Sequence, residues 1–171
     1  IFASDLSQLA IKKARAGIFS KSEVSRVSEQ RLERFFVQTY GEYRITKAVR
    51  DLCTFAPHNI LGDPPFSKID FISCCNMLIY FDIDNQKKVL TTFHYALNDG
   101  GTLMLGKSET TGNSELFPPI NTKHPLYIRQ KGLRTLPKLD SRGSFKNILD
   151  NIPPLPAADA ETVSTNINQI I

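Results

Sequence analysis

Two adjacent prolines, Pro64 and Pro65, stand a few residues ahead of the short run Ile69-Asp70-Phe71-Ile72-Ser73, and this pairing constrains the chain more than any other feature. Proline fixes φ and lacks an N–H, so the pair reads as a corner. The run after it is short and mainly apolar, the pattern of a strand buried on both faces. Small and polar residues follow, Cys74-Cys75-Asn76, and then a second apolar segment that closes on Tyr80-Phe81-Asp82. In an open α/β sheet, ligands bind just beyond the carboxyl ends of strands. Cys75, Asn76 and Tyr80 are therefore the first candidates for chemistry.

The remaining elements can be placed around that strand. Ile1 to Asp5 reads as a short strand ending in an acid. Ser7 to Ala16 reads as a helix capped by Ser7 and ended by Gly17. A second helix is expected from Ser28 to Phe36, with Leu32, Phe35 and Phe36 on one stripe. Gly41 to Thr46 alternates like a strand, and Val49 to Phe55 is expected to pair with it as a small antiparallel appendage. Asp84 to Leu97 is the clearest helix, with Asp84 as its cap and Asn98-Asp99-Gly100-Gly101 as its stop. Thr102 to Gly106 and Leu126 to Arg129 complete the strands. Strands alternating with helices predict an α/β fold with a mainly parallel sheet. Beyond Gln130 the chain turns rich in Pro, Ser, Asn and Asp; a short helical turn at Ser144 to Leu149 is the one element expected there.

Composition narrows the function classes. The 171 residues carry a net charge of +4 with both signs interspersed, and no basic stripe with interleaved aromatics points to nucleic acid. No apolar run approaches the ~20 residues of a membrane span. Three cysteines without C-x-x-C spacing argue against a disulfide framework or a metal site and for reduced thiols in a cytoplasmic protein.

Several segments, taken in order, carry a resemblance: Phe2-Ala3-Ser4-Asp5, Ala14-Arg15-Ala16-Gly17-Ile18-Phe19, Asn59 with Asp63-Pro64-Pro65-Phe66, Cys74-x-Asn76-Met77-Leu78-Ile79-Tyr80-Phe81, and Leu105-Gly106-Lys107-Ser108-Glu109. Together they resemble the chemotaxis receptor methyltransferase family, CheR, over residues 1 to about 129. The resemblance implies a Rossmann-like S-adenosylmethionine-dependent methyltransferase fold, N-terminally incomplete, with a small antiparallel β appendage. It divides the chain into a methyltransferase domain, 1–130, and a linker or flexible tail, 131–171, as in hybrid sensory proteins. It also implies transfer of a methyl group to glutamate side chains on the cytoplasmic helices of chemoreceptors, or on an analogous signalling protein, with S-adenosylhomocysteine as product.

The same resemblance assigns residues, each with a plainer reading beside it. Asp5 would accept the ribose hydroxyls; a carboxylate there also suits a helix cap, and nicotinamide-binding folds use the same device. Asn59 and Ile60 would lie over the adenine; an asparagine there also suits a turn. Cys75 and Asn76 would face the methionine part of the cofactor, with Asn76 touching cofactor or substrate; an asparagine there also suits a structural cap. Tyr80 would orient the acceptor carboxylate or line the transfer channel; it also suits the edge of a core. Lys107-Ser108-Glu109 would close the site as a loop. Family members usually carry arginine at the position of Cys75, and a thiol cannot supply a bidentate cation. Methyl transfer from a sulfonium to a carboxylate needs alignment and exclusion of water, and no general base. The family's glycine-rich turn and N-terminal helical region do not precede Ile1, so the isolated chain is expected to bind the cofactor poorly and to be inactive. Gln38 to Glu42 is a short loop, which predicts docking independent of a receptor's C-terminal pentapeptide. The alternative to an enzyme is a non-catalytic sensory or interaction module that retains the fold.

Overall fold

The computed structural model describes residues 1–112, 114–120 and 124–132, so the expected turn at Ser144 to Leu149 and nearly all of the 131–171 segment lie outside the described residues. Two compact units result, one of residues 1–59 and one beginning at Ile60.

The first unit is built on two sheets. Strand β1 (Phe2–Asp5) lies parallel to β5 (Thr54–Pro57), with Asp5 opposite Pro57. Helix α1 (Gln8–Ala16) follows β1. The Ser7 side chain accepts the Ala10 N–H, and Gly17, at φ 59°, ends the helix by donating to Lys13 and Ala14 carbonyls. Glycine is required at that end: a β-carbon on Gly17 would stand 2.7 Å from Ile45 Cγ2. Arg15 reaches from α1 to the Phe55 carbonyl and ties the helix to β5. The second sheet is antiparallel, with β4 (Glu42–Ile45) between β2 (Ile18–Ser20) and β3 (Phe36–Thr39). Helix α2 (Glu29–Phe35) runs directly into β3, and Phe19 packs edge-on against Phe36.

The antiparallel appendage therefore exists, with different partners from those expected. Val49 to Phe55 does not pair with β4: its start belongs to α3 (Lys47–Arg50), and its end to β5. The strands that flank β4 are β2, too short to show alternation, and β3. The β3–β4 turn needs only Tyr40 and Gly41, both with positive φ, the arrangement that matches the twist of two strands.

The second unit is a β-α-β arrangement with one added strand. β6 (Ile69–Cys74) pairs in parallel with β7 (Leu97–Leu105), and β8 (Leu126–Ile128) pairs antiparallel on the far side of β7. Helix α4 (Ile83–Ala96) connects β6 to β7. Its cap is Asp82, whose Oδ1 accepts the Asn85 N–H, and not Asp84, which sits in the first turn where its charge suits the helix dipole. Val89, Leu90, Phe93, Ala96 and Leu97 are buried and form the expected stripe. Val89, Leu90, Phe93 and Leu97 meet Leu78, Leu103, Leu105 and Phe117 in one core.

Two further expectations are corrected here. Asn98 to Gly101 is no helix stop, for α4 passes directly into β7 and these residues bulge opposite Asp70. Asn98 donates to the Asp70 carboxylate, and a β-carbon on Gly101 would stand 2.9 Å from the Asn98 carbonyl oxygen and 3.1 Å from that of Asp70. The glycines thus serve a bulge, where backbones approach closely. Nor is β6 buried on both faces: Phe71 is 49% exposed, and among the described residues β6 pairs with β7 alone.

Candidate functional site

Each unit presents the carboxyl ends of a parallel strand pair, and the candidate residues fall at those two edges. In the first unit Asp5 closes β1, and Asn59 follows the end of β5 by two residues. The parallel register brings these two chain ends to one edge. The Asp5 side chain is exposed. Its Oδ1 accepts the Ser7 N–H at 2.7 Å, and the Asp5 carbonyl accepts the His58 N–H at 3.1 Å. Asp5 is therefore a turn-forming acid ahead of α1, while Ser7 is the cap itself. One carboxylate oxygen is engaged by that turn, and no hydrogen bond to the second is found among the described residues. An exposed carboxylate of this kind fits a group that brings paired hydroxyls.

Ile60 begins the second unit and packs against its core cluster, so part of its side chain has a packing role. At the second edge, β6 ends at Cys74 beside the end of β7 at Leu105. The two cysteines differ. Cys74 is buried, and burial pushes its thiol up to about 12, helped by the nearby Glu109 carboxylate. At neutral pH it is a protonated, unreactive core thiol. Cys75 is half-buried, with its Sγ 3.9 Å from Ser73 Oγ. Asn76 is exposed and left-handed, at φ 57°. A 3₁₀ turn, Leu78–Tyr80, follows; Leu78 is buried in the core, and Tyr80 is 52% exposed. Gln86 reaches back from α4 to the carbonyls of Leu78 and Phe81 and holds that turn to the helix.

Sequence reasoning missed how this edge is held. Glu109 is buried, and its carboxylate accepts three backbone N–H groups: Asn76 at 2.8 Å and Gly106 at 2.8 Å on Oε2, and Leu78 at 2.6 Å on Oε1. Its own N–H donates to the Gly106 carbonyl. The Gly-x-Ser-Glu segment is thus a tight turn that folds an acid back under the strand ends. The spacing of Gly106 and Glu109 was the available signal. Nothing local showed that the acid would reach residues 76 and 78.

Residues 1–125 match the family model described as the CheR methyltransferase, SAM binding domain. Relatives include the chemotaxis protein methyltransferase of Escherichia coli K12, 33% identical over 124 residues, covering 67% of this chain and 42% of that protein. Chemotaxis protein methyltransferase 1 of Vibrio cholerae is 36% identical over 135 residues, covering 77% of this chain and 49% of that protein. An uncharacterised 104.1 kDa protein of Rhodobacter capsulatus is 36% identical over 150 residues, 81% of this chain and 16% of its own length. The chain thus spans less than half of each of these relatives. The expected α/β, Rossmann-like methyltransferase fold is borne out, and S-adenosylmethionine is the cofactor that the matched domain binds. No helix among the described residues is long and apolar enough to cross a membrane.

Proposed function

The chain belongs to the CheR methyltransferase family, and on that premise we propose that the protein methylates glutamate side chains on the cytoplasmic helices of chemoreceptors, or of an analogous signalling protein. The observation that carries the reading is the edge shared by Asp5 and Asn59. An exposed carboxylate, only half engaged by its own turn, stands at the end of one parallel strand, with an asparagine just past its neighbour.

S-adenosylmethionine, when bound, supplies an activated methyl group. In this reading Asp5 accepts the ribose hydroxyls, and Asn59 and Ile60 hold the adenine. Asn76 and the backbone of Cys75 hold the amino-acid part. Tyr80, about half exposed, orients the incoming carboxylate. That carboxylate has a pKa near ~4.3 and is already an anion at neutral pH, so no residue need remove a proton. The work of the chain is alignment and exclusion of water. Cys75 offers no guanidinium, which leaves orientation of the acceptor to Tyr80 and Asn76. The two-residue Tyr40-Gly41 turn supports docking independent of a C-terminal pentapeptide, since it leaves no loop to extend along one.

The test is to incubate the full-length protein with S-adenosylmethionine tritiated in the methyl group and a chemoreceptor cytoplasmic fragment. Label should enter the receptor and be released as methanol in mild alkali, as a carboxyl methyl ester would be. A folded, cofactor-bound protein that leaves the receptor unlabelled would favour the non-catalytic module instead.

A further inference from the structure

We propose that Glu109 is a positioning residue that sets the Asn76 edge for the cofactor, an inference that rests on the reading of Asn76 as a cofactor contact. Asn76 is not glycine, yet its φ is 57°. Asparagine tolerates the left-handed region better than most residues but still needs its surroundings to hold it there. The support comes from one side chain. Glu109 Oε2 takes the N–H of Asn76 and that of Gly106, and Oε1 takes that of Leu78. A single carboxylate thereby links the end of β6, the turn after it and the end of β7.

The link tolerates little change. A β-carbon on Gly106 would stand 2.7 Å from Glu109 Oε2, 2.9 Å from Asn76 Oδ1 and 3.0 Å from the Asn76 nitrogen. Asn76 Oδ1 is therefore seated over Gly106, and both backbones close on the carboxylate. Only an acceptor on both ends suits three N–H donors. A glutamine of equal size turns an NH₂ toward at least one of them. Glu109 itself is buried, while Asn76 is exposed, so Glu109 acts through the turn it holds.

The experiment compares wild type with Glu109→Gln, both as the full-length protein. S-adenosylhomocysteine affinity, measured by calorimetry, should fall at least about tenfold, with the KM for the receptor fragment unchanged within about twofold. Amide exchange should quicken at residues 75–78 and 106 and stay as in wild type along α4. Glycine adopts positive φ freely. In an Asn76→Gly background the shift in denaturant midpoint caused by Glu109→Gln should therefore be smaller than in wild type. That comparison also decides the matter if the single variant is too unstable to bind ligand. A folded Glu109→Gln with wild-type affinity, exchange that quickens evenly through the unit, or equal midpoint shifts in both backgrounds would each overturn the positioning role. Wild type that binds S-adenosylhomocysteine but fails to methylate a receptor would sink the proposed function and leave this comparison intact.

Discussion

At the carboxyl end of β1 an acid stands in the open; at the carboxyl end of β7 an acid is folded underneath. Asp5 gives one oxygen to one N–H of its own turn, at an exposed edge. Glu109 gives both oxygens to three N–H groups, drawn from just past two strand ends and from the 3₁₀ turn that follows β6, and it is 6% exposed. The two edges are alike in topology, each a parallel pair, so topology does not decide what a carboxylate does there. Satisfaction does. A carboxylate whose acceptor sites are filled by backbone cannot accept from a ligand without losing them. One with an oxygen in water can exchange water for a ligand hydroxyl. The comparison makes a structural role the expectation for Glu109 and leaves recognition as the role proposed for Asp5, and mutations should separate the two.

The largest expected effect is on stability at the second edge. Glu109→Ala leaves the buried N–H groups of Leu78 and Gly106, and that of Asn76, without their acceptor. Each orphaned donor costs about 1–3 kcal/mol, so a total loss of about 3–5 kcal/mol is expected after some water enters. Urea unfolding measures it. A loss below ~1 kcal/mol would mean that the carboxylate holds nothing the turn cannot hold alone. Gly106→Ala should follow, at about 2–3 kcal/mol, since its β-carbon meets a carboxylate oxygen and a backbone nitrogen that have nowhere to retreat. A neutral outcome would show that the two strand ends can part.

Much of this was legible beforehand, and the reason is local pattern. The α4 stripe and the Gly17 stop depend on residues a few positions apart, as do the β1, β6 and β8 strands. The order of chemistry-bearing segments was readable because motif order survives where packing is invisible. Three things were not. β2 is only Ile18–Ser20, too short to alternate, and its pairing with β4 is decided by the fold. Asn98-Asp99-Gly100-Gly101 has the composition of a helix stop, yet it is a bulge because Asp70 on a neighbouring strand receives Asn98. Glu109 acts on residues 31 and 33 positions away, and no period of two or of 3.6 encodes that reach. Asn59 and Asn76 stand just past strand ends and Tyr80 in the turn after β6, places that strand order alone predicts.

A smaller effect calibrates the scale. Asp82→Ala removes the acceptor for the Asn85 N–H at the start of α4. A lost N-cap costs about 1 kcal/mol, and a Tm lowered by a few degrees is the expected result. An unchanged Tm would transfer the capping role to Asp84 after all.

The smallest stability effect belongs to the substitution that tests the comparison most sharply. Asp5→Asn keeps a carbonyl oxygen where Oδ1 now accepts the Ser7 N–H, so the turn ahead of α1 should survive. Stability should change by less than about 0.5 kcal/mol, as at other exposed positions. What the variant loses is the charge and an acceptor on the solvent side, since an amide NH₂ cannot accept from a hydroxyl. If that oxygen receives the ribose hydroxyls, S-adenosylhomocysteine affinity should drop about tenfold or more, the worth of a hydrogen bond to a charged group. Calorimetry on a protein with unchanged Tm reads the effect directly. Should affinity hold while Tm falls, Asp5 is a second structural carboxylate, the two edges differ in exposure alone, and the nucleoside must be held by other residues.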